Sequence, residues 1–237
     1  MDLGTLAPPE RAGLPKWIDT HAHLWMTMEA FQNGGYAVND VFDMAHQLHF
    51  AHHVEYLVDI WCEAPIQKER CLHLADADQQ LDWRGVDYRF AIGFFPSLCV
   101  FPRQSNVLSR SVGIHPHDSK KYDDAIETTL LELLAHPRNV AMGEIGLDYH
   151  YSLSPHNVQR DVLRRQLKVA VRLNKPIVIH TREANEDILS ILKEHVPLEH
   201  HIHVHCFSDE PELADALTAH FANLFIGITG LFLFRVF

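Results

Sequence analysis

The feature that most constrains this chain is a repeated unit: a short apolar run of strand length closed by histidine or glutamate, then a stretch with helical periodicity. The runs at 17–24, 56–61, 111–115, 140–147, 176–180, 202–206 and 224–230 are rich in Val, Ile and Leu. They lack strict alternation, the pattern of strands buried on both faces of a parallel sheet. Between them, 40–53 places Val41, Met44, Ala45, Leu48 and His52 on one helical face, and 124–136 does the same with Ile126, Leu130, Leu133 and Leu134. Residues 156–173 group Leu163, Leu167, Ala170 and Val171, and helical stretches at 184–195 and 211–222 follow. Pro211 sits at a favourable first-turn position after Asp209 and Glu210.

Strands alternating with helices imply right-handed βαβ units and a parallel sheet. Seven such strands fit an eight-stranded barrel better than an open doubly wound sheet. No GxGxxG turn follows the first strand, which counts against a dinucleotide fold. The expectation is an α/β chain forming a TIM-type (β/α)8 barrel, incomplete for want of its eighth strand. It would span 17–237 as a single domain behind an N-terminal extension at 1–16. One stretch, 83–110, breaks the pattern. It is apolar in patches and interrupted by Pro96 and Pro102, and so long a structureless loop is uncommon in a compact domain. It is expected to be an atypical insertion, most simply a gene-model artefact, although 89–93 competes with 111–115 for the third strand.

With 237 residues, 47% of them hydrophobic, the chain can bury one sizeable core. Its formal net charge of -11 repels nucleic acid as a whole, so a phosphodiester substrate would need locally placed cations or metal ions. The four cysteines, Cys62, Cys71, Cys99 and Cys206, show no CxxC spacing, which suggests free thiols in a reducing compartment. Residues 1–16 lack the apolar core of a secretory signal, and no apolar run reaches membrane-spanning length. An intracellular protein, cytoplasmic or nuclear and without membrane contact, is expected.

In a barrel the C-terminal strand ends share one mouth, where catalytic groups collect. Those ends carry His21 and His23, then His115 and His117, then Glu144, His180 and His205. Residues two apart on a strand face the same side, so His21 and His23 suit one metal ion. Neutral imidazoles suit zinc and other transition metals, and a carboxylate such as Glu144 can bridge two ions. A lone HxH is more often a packed pair, but chance does not readily place His or Glu at five strand ends. Other histidines get the plainer reading: surface or helix-end positions for His46, His49, His52, His53, His195, His200 and His201, and packing for His203. Asp19 either orients a ligand histidine or caps its strand. Arg182 either holds a substrate phosphate or pairs with Glu183 or Glu186.

At these residues the chain resembles the TatD family of metal-dependent deoxyribonucleases. The matching segments are I18-D-T-H-A-H-L24, V112-G-I-H-P-H-D118, G143-E-I-G-L-D-Y149, K175-P-I-V-I-H-T-R182 and H205-C-F-S208, in family order. The flanks are similar to the fungal branch related to the Cut9-interacting protein Scn1, which implies a protein partner of that kind. The resemblance implies a metal-dependent hydrolase barrel cleaving nucleic-acid phosphodiester bonds, DNA foremost, with two divalent ions (Mg²⁺, Mn²⁺ or Zn²⁺). It implies that His21 and His23 hold one ion, His180 and His205 the other, and Glu144 both, with Glu144 catalytic. It further implies substrate contacts from His117 and Arg182, and a final aspartate ligand after an eighth strand, for which there is no residue here. Impaired activity is therefore expected. Two other readings stay open: another amidohydrolase-type activity, such as a deaminase or lactonase, and a silent TatD-like binding or scaffold protein.

Overall fold

The computed structural model describes residues 17–48, 54–76 and 108–228. Seven strands form one parallel sheet in chain order: β1 (Trp17–Ala22), β2 (Val54–Trp61), β3 (Leu108–Val112), β4 (Asn139–Asp148), β5 (Ile177–Arg182), β6 (His201–Val204) and β7 (Asn223–Ile226). Among the described residues β1 and β7 are the two edges. The helices are α1 (Leu24–Asn33), α2 (Val41–Gln47), α3 (Lys68–Asp76), α4 (Asp124–Leu134), α5 (His156–Arg172), α6 (Asn185–His195) and α7 (Pro211–His220). A 3-10 turn, Pro116–Lys121, follows β3. This is a strand–helix alternation of the TIM-barrel kind, curled so that its strand ends converge.

The core lies between the central strands and the helices that cover them. Every residue of β4 is buried, as a strand covered on both faces requires. Helix α5 packs on it through Val162, Leu163, Leu167, Val169 and Ala170. Two buried glutamines on the same face of α5, two turns apart, fasten the strand ends that carry the site. Gln159 accepts from the backbone N–H of Asp148 at 2.8 Å and donates to its carbonyl at 2.9 Å. Gln166 does the same for Ile114, at 2.8 and 3.1 Å. A buried backbone group left unpaired costs about 1–3 kcal/mol, so these two side chains stabilise loop ends that the sheet ladder cannot reach.

Strands β4 and β5 approach so closely at the site that glycine is required. Gly146 has φ +155°, and a Cβ there would stand 1.8 Å from the carbonyl oxygen of His180.

Several boundaries differ from the sequence expectation. The first strand stops at Ala22 rather than Leu24, because the buried carboxylate of Asp59 accepts from the Leu24 N–H at 2.9 Å and α1 starts there. Strand β3 is Leu108–Val112, so the expected insertion loses its last three residues to the sheet, and 113–115 lead out of the strand. The rest of that insertion, the competing 89–93 segment, the extension at 1–16, residues 229–237, His49, His52 and His53 lie outside the described residues. Helices α1 and α3 were not expected. No helix among the described residues is long and apolar enough to cross a membrane.

Candidate metal centre

Glu144 is the hub. Its carboxylate, 3% exposed, meets five imidazoles: His205 at 2.6 Å, His180 at 2.8 Å, His21 at 3.1 Å, His115 at 3.3 Å and His23 at 3.5 Å. Burial alone pushes the carboxyl upward, but His205, His115 and His180 outweigh it and hold the group well below the usual range. It is therefore an anion at neutral pH in a place where an isolated anion would be costly.

The imidazoles divide by environment. Burial carries the His205 ring down to about 4 and His203 to about 3, so both are neutral. Burial also lowers His180, but its hydrogen bonds to Asp148 and Glu144 overcome this and lift it to about 9. His115 is lowered, chiefly by burial.

Two sets of donors lie within 4.8 Å of one another: His21, Glu144 and His205, and His115, Glu144 and His180. The Nδ1 atoms of His21 and His205 are buried without a hydrogen-bond partner. It is the Nε2 atoms of these two rings that face Glu144, and imidazoles gathered round one buried carboxylate are a donor set that fits a divalent ion. Glu144 Oε2 faces His21 and His23, and its Oε1 faces His115, His180 and His205, with His205 Nε2 3.1 Å from His180 Nδ1. His117 is set apart, 2.8 Å from Asp148.

Asp148 escaped the sequence reading, though it stands four residues after Glu144 and so on the same strand face. It is buried, and its Oδ2 lies 2.8 Å from His117 Nε2 and 3.3 Å from His180 Nε2. Burial works against its charge, yet the bonds from His180, the Tyr151 N–H and His117 carry its pKa far below normal. Such a carboxylate orients ligand histidines and makes them better donors. His115 was read at the strand end but not as a ligand; the signal that would have found it is its place two residues before His117, on β3's exit.

Other candidates resolve into plainer roles. Asp19 accepts from the His21 backbone N–H at 3.0 Å, bracing the strand rather than an imidazole. Arg182 pairs with neither Glu183 nor Glu186: its guanidinium lies 4.9 Å over the Tyr151 ring, and Glu183 bonds His150 instead. His203 is buried, with its Nε2 2.5 Å from where a Cβ on Gly227 would stand. His200, expected at the surface, is buried and bonded to the Lys175 carbonyl at 2.9 Å. Beside His23, between the ends of β1 and β2, a groove opens to solvent.

The model of the family described as TatD related DNase matches residues 18–236. The chain belongs to the TatD DNase family. It is similar to the human 3'-5' RNA nuclease TATDN2, 45% identical over 119 residues, which are 50% of this chain and 16% of that protein. It is 36% identical over 128 residues to the 3'-5' ssDNA/RNA exonuclease TatD of Escherichia coli K12, covering 54% of this chain and 48% of the relative. The chain thus spans about half or less of the length of these relatives. Among solved structures, a TatD family hydrolase from Entamoeba histolytica superposes with a TM-score of 0.67 at 20% identity, over 91% of this chain and 65% of that one. The Escherichia coli TatD homolog YJJV gives 0.62 at 23% identity, over 89% and 66%. At such identities the two structures speak for the TatD fold.

Proposed function

We propose that this chain hydrolyses phosphodiester bonds of single-stranded nucleic acid, DNA foremost, at the Glu144 centre, with two divalent ions. The observation that carries the reading is the pair of ligand sets sharing Glu144 in a TatD-family frame. The relatives named as nucleases for RNA and single-stranded DNA support the substrate class.

His21, His23 and Glu144 would hold one ion and His180, His205 and Glu144 the other, with His115 adjacent. Divalent ions there, Mg²⁺, Mn²⁺ or Zn²⁺, supply polarisation of a phosphate oxygen and a water of lowered pKa. The chain's own residues supply the rest. Glu144 keeps its negative charge and so offers an oxygen to each set. Asp148 fixes the rings of His180 and His117. Arg182, which has no carboxylate partner among the described residues, presents a cation held against Tyr151. In a chain of net charge -11 that local cation and the ions must do the attracting of phosphate. His117, at the mouth beside Tyr151 with ring centroids 5.5 Å apart, is placed to touch substrate.

The free cysteines Cys62, Cys71 and Cys206 support an intracellular, reducing setting. A single domain over 17–237 and a protein partner of the Cut9 kind belong to the same proposal, resting on the family match and on the flanks respectively.

The test is end-labelled single-stranded DNA and RNA incubated with the metal-stripped chain, with Mg²⁺ or Mn²⁺ restored, beside Glu144→Ala. Metal-dependent shortening lost in the variant is expected. Metal binding without any shortening would turn the reading to a silent TatD-like scaffold.

A further inference from the structure

We infer that the groove beside His23 is a nucleobase pocket, which takes the base of the nucleotide next to the cleaved phosphate. The inference rests on the phosphodiesterase reading above and adds where the base goes. The walls are Trp25, Met26, Trp61, Cys62 and Ile66, with Gln67 at the rim. Its polar corner is His23, whose Nε2 lies 3.5 Å from the Glu144 carboxylate, so an occupant of the groove lies against the ion-binding groups.

The construction of the walls favours a flat aromatic occupant. Both indoles have their N–H groups already bonded: Trp61 Nε1 donates to Asp59 Oδ2 at 2.7 Å and Trp25 Nε1 to Glu29 Oε1 at 2.6 Å. What they offer the groove is therefore ring surface, not a hydrogen-bond edge. The two rings stand 6.3 Å apart and 45° from parallel, a wedge in place of a closed stack, and Arg70 lies 4.3 Å from the centre of Trp25. Asp59, itself buried, ties Trp61 on β2 to the first N–H of α1, so the two walls are held at a fixed spacing. Met26, half exposed at the mouth, adds an adaptable thioether. Glu63 and Gln67, both exposed, bring an acceptor and an amide to the edge, the groups that meet a base's polar rim. A phosphate would be repelled by Glu63, so the charged part of a nucleotide belongs at the ions and its neutral base in the groove. Stacking of bases on aromatic side chains tolerates all four bases, as suits a degradative nuclease.

The test compares equilibrium binding of 2'-deoxyadenosine 5'-monophosphate and 2-deoxyribose 5-phosphate to the full chain with Ca²⁺, by calorimetry. The nucleotide should bind roughly tenfold or more tightly than the sugar phosphate, and Trp25→Ala should bring that ratio close to one. Should Trp25→Ala not fold, the rim variant Met26→Ala/Gln67→Ala is expected to reduce the ratio severalfold. Equal affinities in the unaltered chain, or a ratio indifferent to the folded variants, overturns the pocket. Hydrolysis with Mn²⁺ of strands ending in a normal or an abasic nucleotide separates the two readings. Base-dependent binding without hydrolysis sinks the reaction and upholds the pocket. Hydrolysis at equal rates on both ends, with equal affinities, sinks the pocket and upholds the reaction.

Discussion

The imidazole of His21 lies flat on that of His205, centroids 3.9 Å apart and planes 6° from parallel, although β1 and β6 are five strands apart in the sheet. Only a sheet curled nearly on itself brings those two strand ends together. Their contact closes the mouth over Glu144, with both rings against one carboxylate.

A divalent ion that binds this cluster binds the folded chain alone, since the donors come from distant segments. Stability should therefore rise with ion concentration, by about 2.7 kcal/mol at a hundredfold excess over the dissociation constant. Thermal melts with and without Mn²⁺, after chelator treatment, measure it. Glu144→Ala should abolish most of the shift because both donor sets lose their shared carboxylate. A shift of the same size in that variant would remove Glu144 from the site.

Much of this centre was legible in the sequence because apolar runs carry a positional meaning: His21, His23, His180 and His205 lie toward the ends of such runs and Glu144 within one, and they meet. The grouping was not legible. Which imidazole stacks on which depends on the curl of the sheet: His21 shares Glu144 Oε2 with His23 and also lies flat on His205, just past β6. Asp148 was hidden by its place in a motif read for its glutamate. Gln159 and Gln166 were hidden by their helix, where polar residues normally mark the solvent face, yet here they point inward to hold Asp148 and Ile114. Helix α1 was missed because Leu24 continues an apolar run, and only the bond from its N–H to Asp59, 35 residues on, ends the strand.

Burial sets a second expectation, at Cys71 on α3. Desolvation pushes its thiol up to about 11 from an ordinary 9.0. The folded state then keeps a proton that the unfolded chain gives up. The associated stability is fully present below pH 9, and is lost as pH rises from about 9 to 11, amounting to about 2–3 kcal/mol. Urea unfolding at pH 8, 9 and 10 should show about the first half of that fall, and Cys71→Ala should flatten it. An equal slope in both proteins would show that the thiol does not contribute.

Gly146 offers a steric test that does not involve the ions. With an added Cβ 1.8 Å from the His180 carbonyl, Gly146→Ala must push β4 away from β5. The cost should exceed about 3 kcal/mol, at the upper end for a single change, and the protein should be largely insoluble or unfolded. A soluble variant with an unaltered melting temperature would mean that the two strands are not in this register.

Asp148→Asn leaves the shape of the side chain and removes its charge, which makes it the sharpest probe of how the ligands are held. The carboxylate accepts from both His117 and His180, and its Oδ1 accepts from the Tyr151 N–H at 3.0 Å. An amide can keep the bond from Tyr151, so the loop should stay in place. With its oxygen kept for Tyr151, the amide turns its NH₂, a donor, toward His117 and His180, so the rings lose their acceptor, their fixed orientation and some basicity. Loss of such an outer partner typically weakens metal affinity or activity about 10–100-fold. Mn²⁺ titration should place the variant in that range, with its ion-free melting temperature within a few degrees of the parent. Nuclease rate measured at saturating Mn²⁺ should recover in part, because excess ion restores occupancy but not ring orientation. Complete recovery would reduce Asp148 to an affinity role, and unchanged affinity would leave it as packing beneath Tyr151.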